Sequence, residues 1–439
     1  MKLQGKRLGD QRVRVERVQP QEFHFERERR MRKPPPSPAL VLVVGFAVLI
    51  AIGTVLLMLP IASATGEWTR PVDALFIATS AVCVTGLAVV DTATHWSPFG
   101  HAVILGLIQA GGFGFMTGST LLLFLLVGRR TGLRDRILAQ ASTGVSDLGS
   151  VTTVIKRVAM FTVLAEGIGA VVLFLAFLER YGDAGRAAWH GLFHSISAFN
   201  NAGFDLMGDF QSLTAFANDP LVLVPIGLLI VFGGLGYAIV GDALAKRTWR
   251  RFALETKLVL LTTAILIAVG TAAIAVFEWS NPATLGRMPE PQRLLNALFE
   301  SVTLRTAGFS ALPTGELAVA SLFVVMALMF IGGASGSTAG GIKVNTFAVL
   351  IIAIVSTVRG EPSATAFGRR IKVNTFAVLW VAILSTARGL PSAVGFGRRI
   401  PHLLIYRALS VVLLSIAIVF GVGLLIELTA PGADFVAVL

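Results

Sequence analysis

Stretches of about twenty consecutive, largely apolar residues constrain this chain more than any other feature. They cover residues 39–59, 158–178, 221–240 and 258–277, among others. A helix of about twenty residues crosses the hydrocarbon core of a bilayer and satisfies its own backbone polar groups there. The mean hydropathy is +0.77 and only 14% of residues are charged, whereas soluble domains carry about a quarter. The sequence therefore predicts an all-α polytopic membrane protein.

The basic residues indicate which side of the membrane faces the cytoplasm. Residues 1–38 form a basic tail without the short apolar core of a cleavable signal. The remaining basic clusters follow the predicted spans, which is the positive-inside pattern. They contain Arg129, Arg130, Arg134, Arg136, Lys246, Arg247, Arg250, Arg251, Arg369 and Arg370. We therefore predict a multi-pass plasma membrane protein with a cytoplasmic N-terminus, and no nucleic-acid partner despite the net charge of +12.

Several function classes have no support in the sequence. The single cysteine, Cys83, excludes an internal disulfide, and the six histidines show no zinc-ligand spacing. No hydrolase constellation is present either. We expect a protein that is not an enzyme and has no cofactor.

One unit occurs three times in the same order: a long apolar span, a shorter semi-polar segment that ends in a glycine turn, and a second span with a glycine cluster. The short segments cover residues 72–82, 187–199 and 293–303. The turns are Val84-Thr85-Gly86, Asn201-Ala202-Gly203 and Thr306-Ala307-Gly308. The clusters begin at Gly111, Gly233 and Gly332.

The short segments are typical of re-entrant half-helices, because they are too short to cross a bilayer and too polar to face lipid. Non-helical backbone at membrane depth is tolerated where it lines a water-filled path, so each turn should face a common axis. Glycine at positive φ lets neighbouring carbonyl groups point one way, and rings of carbonyls replace the water around a monovalent cation. Asn200 and Asn201 would form the hydrogen-bonding scaffold. Gly86, Gly203 and Gly308 as simple helix C-caps would explain one such turn, but not the repetition.

At these residues the chain closely resembles the Trk/Ktr/HKT superfamily of potassium transporters, and within it the Ktr-type membrane subunit. The motifs "SISAFNNAGFDL", "TLRTAGF" and "GGASGSTAGGIK" carry the resemblance, which covers about residues 39–439. It implies four pseudo-repeats of outer helix, re-entrant pore helix, filter loop and inner helix around a central pore. Three repeats would cover 39–136, 150–251 and 255–360. Gly86, rather than serine, implies a preference for potassium, which would bind only at the filter residues Val84, Thr85, Gly86, Asn201, Ala202, Gly203, Thr306, Ala307 and Gly308.

The resemblance also implies an intramembrane gate at residues 332–343. A run so rich in glycine cannot hold a stable helix in mid-span, since each glycine costs about 1 kcal/mol relative to alanine. The predicted gate residues are Gly332, Gly333, Ala334, Ser335, Gly336, Ser337, Thr338, Gly340, Gly341 and Lys343. Lys343 either places a positive charge below the filter or anchors the loop to helix carbonyls. A Walker phosphate loop is excluded because Ile342 separates Gly341 from the lysine. The glycines in "GGFGF" and "GGLGY" are typical of close helix packing.

Charged residues near the turns have open interpretations. Asp91, Asp205 and Asp209 either concentrate cations at an outer mouth or are ordinary loop acids. Glu300 and Arg305 flank the third turn, and we expect them to pair and brace it.

Two features depart from the family pattern. Residues 371–399 repeat 342–370 with about three-quarters identity, and we predict that residues 361–402, including the extra copy, stay on the cytoplasmic side. Residues 403–439 match only the first helix of a fourth repeat, so the fourth filter turn is expected to be missing.

These observations predict channel-like potassium uptake with potassium as the substrate; sodium dependence is left open. The alternative is a non-conducting truncated subunit that only assembles with an intact homologue. A secondary transporter for a larger solute is disfavoured, because the repeats share one orientation. By resemblance, the partners are membrane lipid, a second copy in a homodimer and a ring of cytoplasmic nucleotide-binding regulatory subunits. Arg369, Arg370, Arg398 and Arg399 suit docking to acidic protein or anionic lipid equally well.

Overall fold

The computed structural model describes residues 38–130 and 151–358, together with residues 365–366, 369–370, 394–395 and 398–399. The predictions for residues 1–37, for most of the copy 371–399 and for residues 403–439 lie outside this part of the chain. The described residues are mainly helical.

The first unit contains α1 (Pro38–Met58), α2 (Pro71–Val82), the short α3 (Thr92–His95) and α4 (Pro98–Arg130). Proline stands at the first position of α2, where its fixed φ suits a helix and its missing N–H costs nothing. The side chain of Asp91 accepts a hydrogen bond from the Thr94 N–H and so caps α3.

The second unit contains α5 (Val151–Tyr181), α6 (Ala184–Phe199) and α7 (Pro220–Lys246). Aspartate side chains cap α6 and α7, since Asp183 accepts from the Arg186 N–H and Asp219 accepts from the Leu221 N–H. Helix α7 is kinked at Gly236, whose φ of 73° and ψ of 163° are not helical.

The third unit contains α8 (Leu254–Glu278), α9 (Glu290–Thr303), α10 (Val319–Met329) and α11 (Val344–Val358). Residues 330–343 interrupt what would otherwise be one long helix, so the break falls in the glycine-rich run. In each unit the short helix packs on the long helix before it: α2 on α1, α6 on α5 and α9 on α8.

Four helical segments in the described part are long and apolar enough to cross a membrane: Pro98–Gly118, Val154–Tyr181, Pro220–Lys246 and Leu254–Glu278. Shorter apolar segments are Leu42–Met58, Pro71–Val82 and Val319–Met329. Large apolar side chains on these helices are exposed, for example Val163 at 67% and Val276 at 74%. Such surface is suited to lipid rather than water. The predicted class, an all-α polytopic membrane protein, is confirmed.

Two small β-hairpins were not predicted. Strand β1 (Thr365–Ala366) pairs antiparallel with β2 (Arg369–Arg370), and β3 (Val394–Gly395) pairs with β4 (Arg398–Arg399). Both hairpins lie at the same place in the duplicated sequence and have the same register, with Thr365 opposite Arg370 and Val394 opposite Arg399. The duplication therefore repeats a local structure as well as a sequence.

Candidate functional site

The three glycine turns share one backbone conformation. Each follows the end of a short helix, α2, α6 or α9, and each has positive φ at its first and third residues. The φ values are 56° and 79° at Val84 and Gly86, 57° and 74° at Asn201 and Gly203, and 68° and 85° at Thr306 and Gly308. Positive φ is uncommon for a residue other than glycine and rarer still for β-branched valine and threonine. Such strain persists only where the surroundings fix it, and it is typical of functional sites.

The three turns lie in direct contact with each other. A Cβ atom on Gly86 would overlap the carbonyl oxygen of Ala202. A Cβ on Gly203 would lie 2.7 Å from the carbonyl oxygen of Ala307 and 2.9 Å from the Cα of Gly308. On Gly308 it would lie 3.1 Å from the Cα of Gly203. The structure thus brings the predicted filter residues together and leaves no room for a larger residue at Gly86 or Gly203.

Backbone and hydroxyl hydrogen bonds hold each turn on its helix. The N–H of Ala202 donates to Ser197 O at 2.8 Å, and that of Thr85 donates to Ser80 O at 2.8 Å. The Ser197 hydroxyl donates to Phe204 O at 2.6 Å, and the Thr303 hydroxyl donates to Phe309 O at 2.7 Å. These two hydroxyls brace the residue after the glycine of the second and third turns, a role that the sequence analysis did not assign.

Asn200 is the cap residue of α6 and is fully buried. Its Nδ2 lies 2.9 Å from Glu166 Oε1, 2.9 Å from Ile196 O and 3.2 Å from Gln109 Oε1. These are hydrogen bonds of the kind predicted for the scaffold, and its role in ion binding stays a prediction. Sequence reasoning missed Glu166 and Gln109. The available signal was the single acid within the apolar stretch 158–178.

The glycine clusters of α4 and α7 allow close approach of the short helices. A Cβ on Gly111 would overlap the carbonyl oxygen of Val82, and one on Gly233 would overlap that of Phe199. Gly112 likewise makes room for Asn200 Oδ1. The interpretation of these glycines as packing positions is confirmed.

The expected pairing of Glu300 with Arg305 is wrong. Glu300 Oε1 accepts hydrogen bonds from the N–H groups of Ala311 and Leu312, at 2.8 and 3.1 Å. Arg305 Nη2 donates to Gly332 O at 3.1 Å. The two side chains separate because Glu300 lies within α9 and reaches the segment after the turn, whereas Arg305 lies beyond the helix end and reaches the interrupting loop.

Residues 330–343, here called the interrupting loop, are closed at their base. Ile331 and Ile342 form a parallel bridge. The N–H of Gly332 donates to Ile342 O at 3.0 Å, and the N–H of Ile342 donates to Phe330 O at 2.9 Å. Gly336 and Gly341 take φ values of 78° and 60°, which glycine adopts without steric cost.

The interrupting loop, which belongs to the third unit, is hydrogen-bonded to the second unit. The N–H groups of Ala334 and Thr338 donate to Gly234 O at 2.8 Å and Gly233 O at 3.3 Å. The Thr338 hydroxyl donates to Phe199 O at 3.1 Å. A Cβ on Gly236, at the kink of α7, would lie 2.9 Å from Gly336 O. The loop is therefore seated against the kink of α7 and the end of α6.

Lys343 lies at the end of the interrupting loop. Its Nζ donates to Ala339 O at 2.5 Å and lies 4.7 Å from the ring centroid of Phe115 in α4. Of the two alternatives for this residue, the contacts favour an anchor: Lys343 ties the loop to itself and to the first unit.

The acidic residues after the turns differ in their surroundings. Asp91 accepts from the N–H groups of Thr94 at 2.8 Å and Phe210 at 3.0 Å. Partial burial opposes its ionised form, but these hydrogen bonds outweigh that effect and lower its pKa. Burial raises the pKa of Asp205 to about 6, with a further contribution from the charge of Asp91. Asp209 is exposed.

Comparison with known proteins agrees with this architecture. The TrkH family, described as cation transport protein, matches residues 20–439. The Ktr system potassium uptake protein B of Bacillus subtilis is 41% identical over 331 residues, which cover 75% of this chain and 72% of that protein. The potassium/sodium uptake protein NtpJ of Enterococcus hirae is 39% identical and covers 74% and 71%.

A solved structure shows the same fold. The crystal structure of the potassium transporter TrkH from Vibrio parahaemolyticus matches with a TM-score of 0.60 and 18% identity. The match covers 93% of this chain and 75% of that one.

Proposed function

The chain belongs to the TrkH family of cation transport proteins, and on that premise we propose that it takes up potassium across the plasma membrane as a channel-like transporter. The observation that supports this best is the contact among Gly86, Gly203 and Gly308 in one shared backbone conformation. The similar proteins from B. subtilis and E. hirae are named a potassium uptake protein and a potassium/sodium uptake protein, and both names support potassium as a transported ion.

Backbone carbonyl groups of the three turns would bind the ion. Oxygens of this kind replace the hydration shell of a monovalent cation without proton or covalent chemistry. Positive φ at alternate residues turns successive carbonyls toward one side, which is the arrangement a row of ion sites requires. The binding residues would be Val84, Thr85, Gly86, Asn201, Ala202, Gly203, Thr306, Ala307 and Gly308, with potassium as the transported substrate.

The interrupting loop would act as the gate. Its contacts with Phe199 O and with Thr306 attach it to the last residue of α6 and to the first residue of the third turn. A loop of small residues can change conformation at low cost because few side chains must repack. The residues that would move are those from Gly332 to Gly341, with Lys343 as the anchor at one end.

The charge pattern supports the orientation, and the resemblance to Ktr-type membrane subunits supports the partners. The positive-inside pattern supports a cytoplasmic N-terminus. We propose a homodimer in the lipid membrane that docks a ring of cytoplasmic nucleotide-binding regulatory subunits. The repeated Arg-Arg strands β2 and β4 are candidate contacts for an acidic surface on that ring.

Potassium uptake by cells that lack their own uptake systems tests the proposal, with Gly203→Ala as the decisive variant. Its Cβ would lie 2.7 Å from Ala307 O at a φ of 74°, so we expect uptake to be lost. Gly66→Ala is the matched control, because Gly66 has the same φ of 74° but nothing within 4 Å of a Cβ. Equal uptake by Gly203→Ala and the wild type would contradict the proposal that the second turn forms part of an ion filter. Co-purification with an intact homologue without ion flux would instead support the non-conducting subunit.

A further inference from the structure

Glu166 is a buried acid in the middle of α5. It lies within the membrane-crossing segment Val154–Tyr181 and is only 6% exposed. An ionisable residue at membrane depth is expensive, and it is found where it has a partner and a function. The roles assigned to the turns and the interrupting loop do not involve it.

The Glu166 side chain is shared between two amides from different helices. Its Oε1 accepts from Asn200 Nδ2 at 2.9 Å, and its Oε2 accepts from Gln109 Nε2 at 3.1 Å. Asn200 Nδ2 is also 3.2 Å from Gln109 Oε1, which closes a ring of three side chains. The ring joins α5, α4 and the cap of α6, so it spans the first and second units.

Glu166 also holds α6 at a second point. Its backbone carbonyl oxygen accepts a hydrogen bond from the Ser195 hydroxyl at 2.7 Å. One residue of α5 therefore fixes α6 at Ser195 and at Asn200. Asn200 directly precedes Asn201, where the backbone enters the second turn at a φ of 57°.

The corresponding positions before the other two turns have no such arrangement. Cys83 precedes the first turn and is exposed. Arg305 precedes the third turn and donates to a backbone carbonyl, Gly332 O. Among the described residues, a buried carboxylate that is hydrogen-bonded to the residue directly before a turn is thus a feature of the second unit.

We propose that Glu166 is a positioning residue that, through Asn200, fixes the second turn and so sets the discrimination between potassium and sodium. The inference rests on the proposed function, because it assigns specificity to the same path. A ring of carbonyl oxygens accepts the smaller ion if the oxygens can move inward. Asn200 prevents that movement at Ala202 and Gly203 as long as its hydrogen bonds to Glu166 and Gln109 are present.

The test measures potassium and sodium uptake per molecule of protein in the membrane. In Glu166→Gln one carboxylate oxygen becomes an NH₂ group, which faces the amide donor of Asn200 or Gln109. We expect the potassium-to-sodium ratio to fall by about fivefold or more as the turn loosens. The exchange variant, Glu166→Gln with Asn200→Asp, again pairs an amide with a carboxylate between these two positions. It should recover part of the ratio, because an aspartate at position 200 cannot donate to Ile196 O.

Glu278→Gln is the matched control for loss of a buried carboxylate. Glu278 accepts hydrogen bonds from the Ala318 N–H and the Ser321 hydroxyl, away from the turns. It should lower the amount of folded protein without changing the ratio. A merely structural role of Glu166 would produce the same result as this control.

Two results separate the inference from the proposed function. A wild-type chain that carries no potassium overturns both. An unchanged ratio in Glu166→Gln, with normal wild-type uptake, overturns this inference alone. If Glu166→Gln does not reach the membrane, the exchange variant decides: recovery of abundance and ratio supports the inference, and failure of either overturns it.

Discussion

The backbone N–H of Gly340 donates a hydrogen bond of 2.9 Å to the hydroxyl of Thr306. Thr306 is the first residue of the third turn, and Gly340 belongs to the interrupting loop. A second link, from Arg305 to Gly332 O at 3.1 Å, lies beside it. The proposed filter and the proposed gate are therefore in direct contact, and the following predictions start from this contact.

Thr306→Val should weaken the contact that holds the interrupting loop against the third turn, which we take as the closed position of the proposed gate. Valine keeps the branched shape but removes the acceptor for the Gly340 N–H, a loss of about 1 kcal/mol. We expect about fivefold more uptake in the absence of an activating partner. The measurement is the initial potassium uptake rate. Thr54→Val is the control, because the Thr54 hydroxyl bonds only within α1, to Ile50 O. A lower rate in Thr306→Val, or the same rise in both variants, would contradict the link.

A thiol reagent should block potassium uptake by modifying Cys83, which is the chain's single cysteine. Cys83 is exposed and caps α2 directly before Val84 of the first turn. Attaching a charged group there places it beside the predicted path. Uptake before and after treatment with a methanethiosulfonate reagent is the measurement. Cys83→Ser should transport normally and resist the reagent. Complete labelling with full remaining uptake would place Cys83 away from the path.

Uptake should fall as the external pH drops through about 6, because burial raises the pKa of Asp205 to about 6. Above that pH the carboxylate of Asp205, two residues after Gly203, is ionised and attracts cations. Below that pH the carboxyl group is protonated and the attraction is lost. Asp91 has a lowered pKa and stays ionised over this range. We expect about a twofold to fivefold change in the apparent KM for potassium.

The pH profile of Asp205→Asn is the decisive comparison. This variant should show a high KM that no longer changes through about pH 6. Asp209→Asn changes an exposed neighbour and should keep the wild-type profile. A profile for Asp205→Asn that matches the wild type would assign the pH effect to another group.

Glu278→Ala should lower stability strongly. The Glu278 carboxylate accepts from Thr284 Oγ1 at 2.6 Å, Asn281 Nδ2 at 2.7 Å, the Ala318 N–H at 2.9 Å and the Ser321 hydroxyl. Its removal leaves the buried Thr284 and Ser321 hydroxyls and the Ala318 N–H without this acceptor, which costs about 3 kcal/mol or more. The thermal unfolding temperature in detergent should drop, and less so for Glu278→Gln. An unchanged unfolding temperature for Glu278→Ala would contradict this role.

The sequence was sufficient for the class and for the positions of the turns, because spans, charge bias and glycine spacing are local patterns. It was insufficient for contacts between distant residues. Glu300 and Arg305 are neighbours in sequence and of opposite charge, yet each has a partner elsewhere. The ring of Gln109, Glu166 and Asn200 combines residues up to 91 positions apart, and no short motif contains them. The hairpins in the duplicated segment were also missed, since a two-residue strand leaves no periodicity to detect.

The kink of α7 at Gly236 has a consequence for how the second and third units vary. The seat of the interrupting loop is built from Gly233, Gly234 and Gly236, which belong to a different unit from the loop itself. A bulkier residue in the interrupting loop or at these glycines of α7 requires a shift of the backbone in the other unit. The second and third units share one plan, yet neither can be replaced by a copy of the other. The loop of the third unit and the glycines of the second unit are complementary in shape, and two identical units would lose that complementarity.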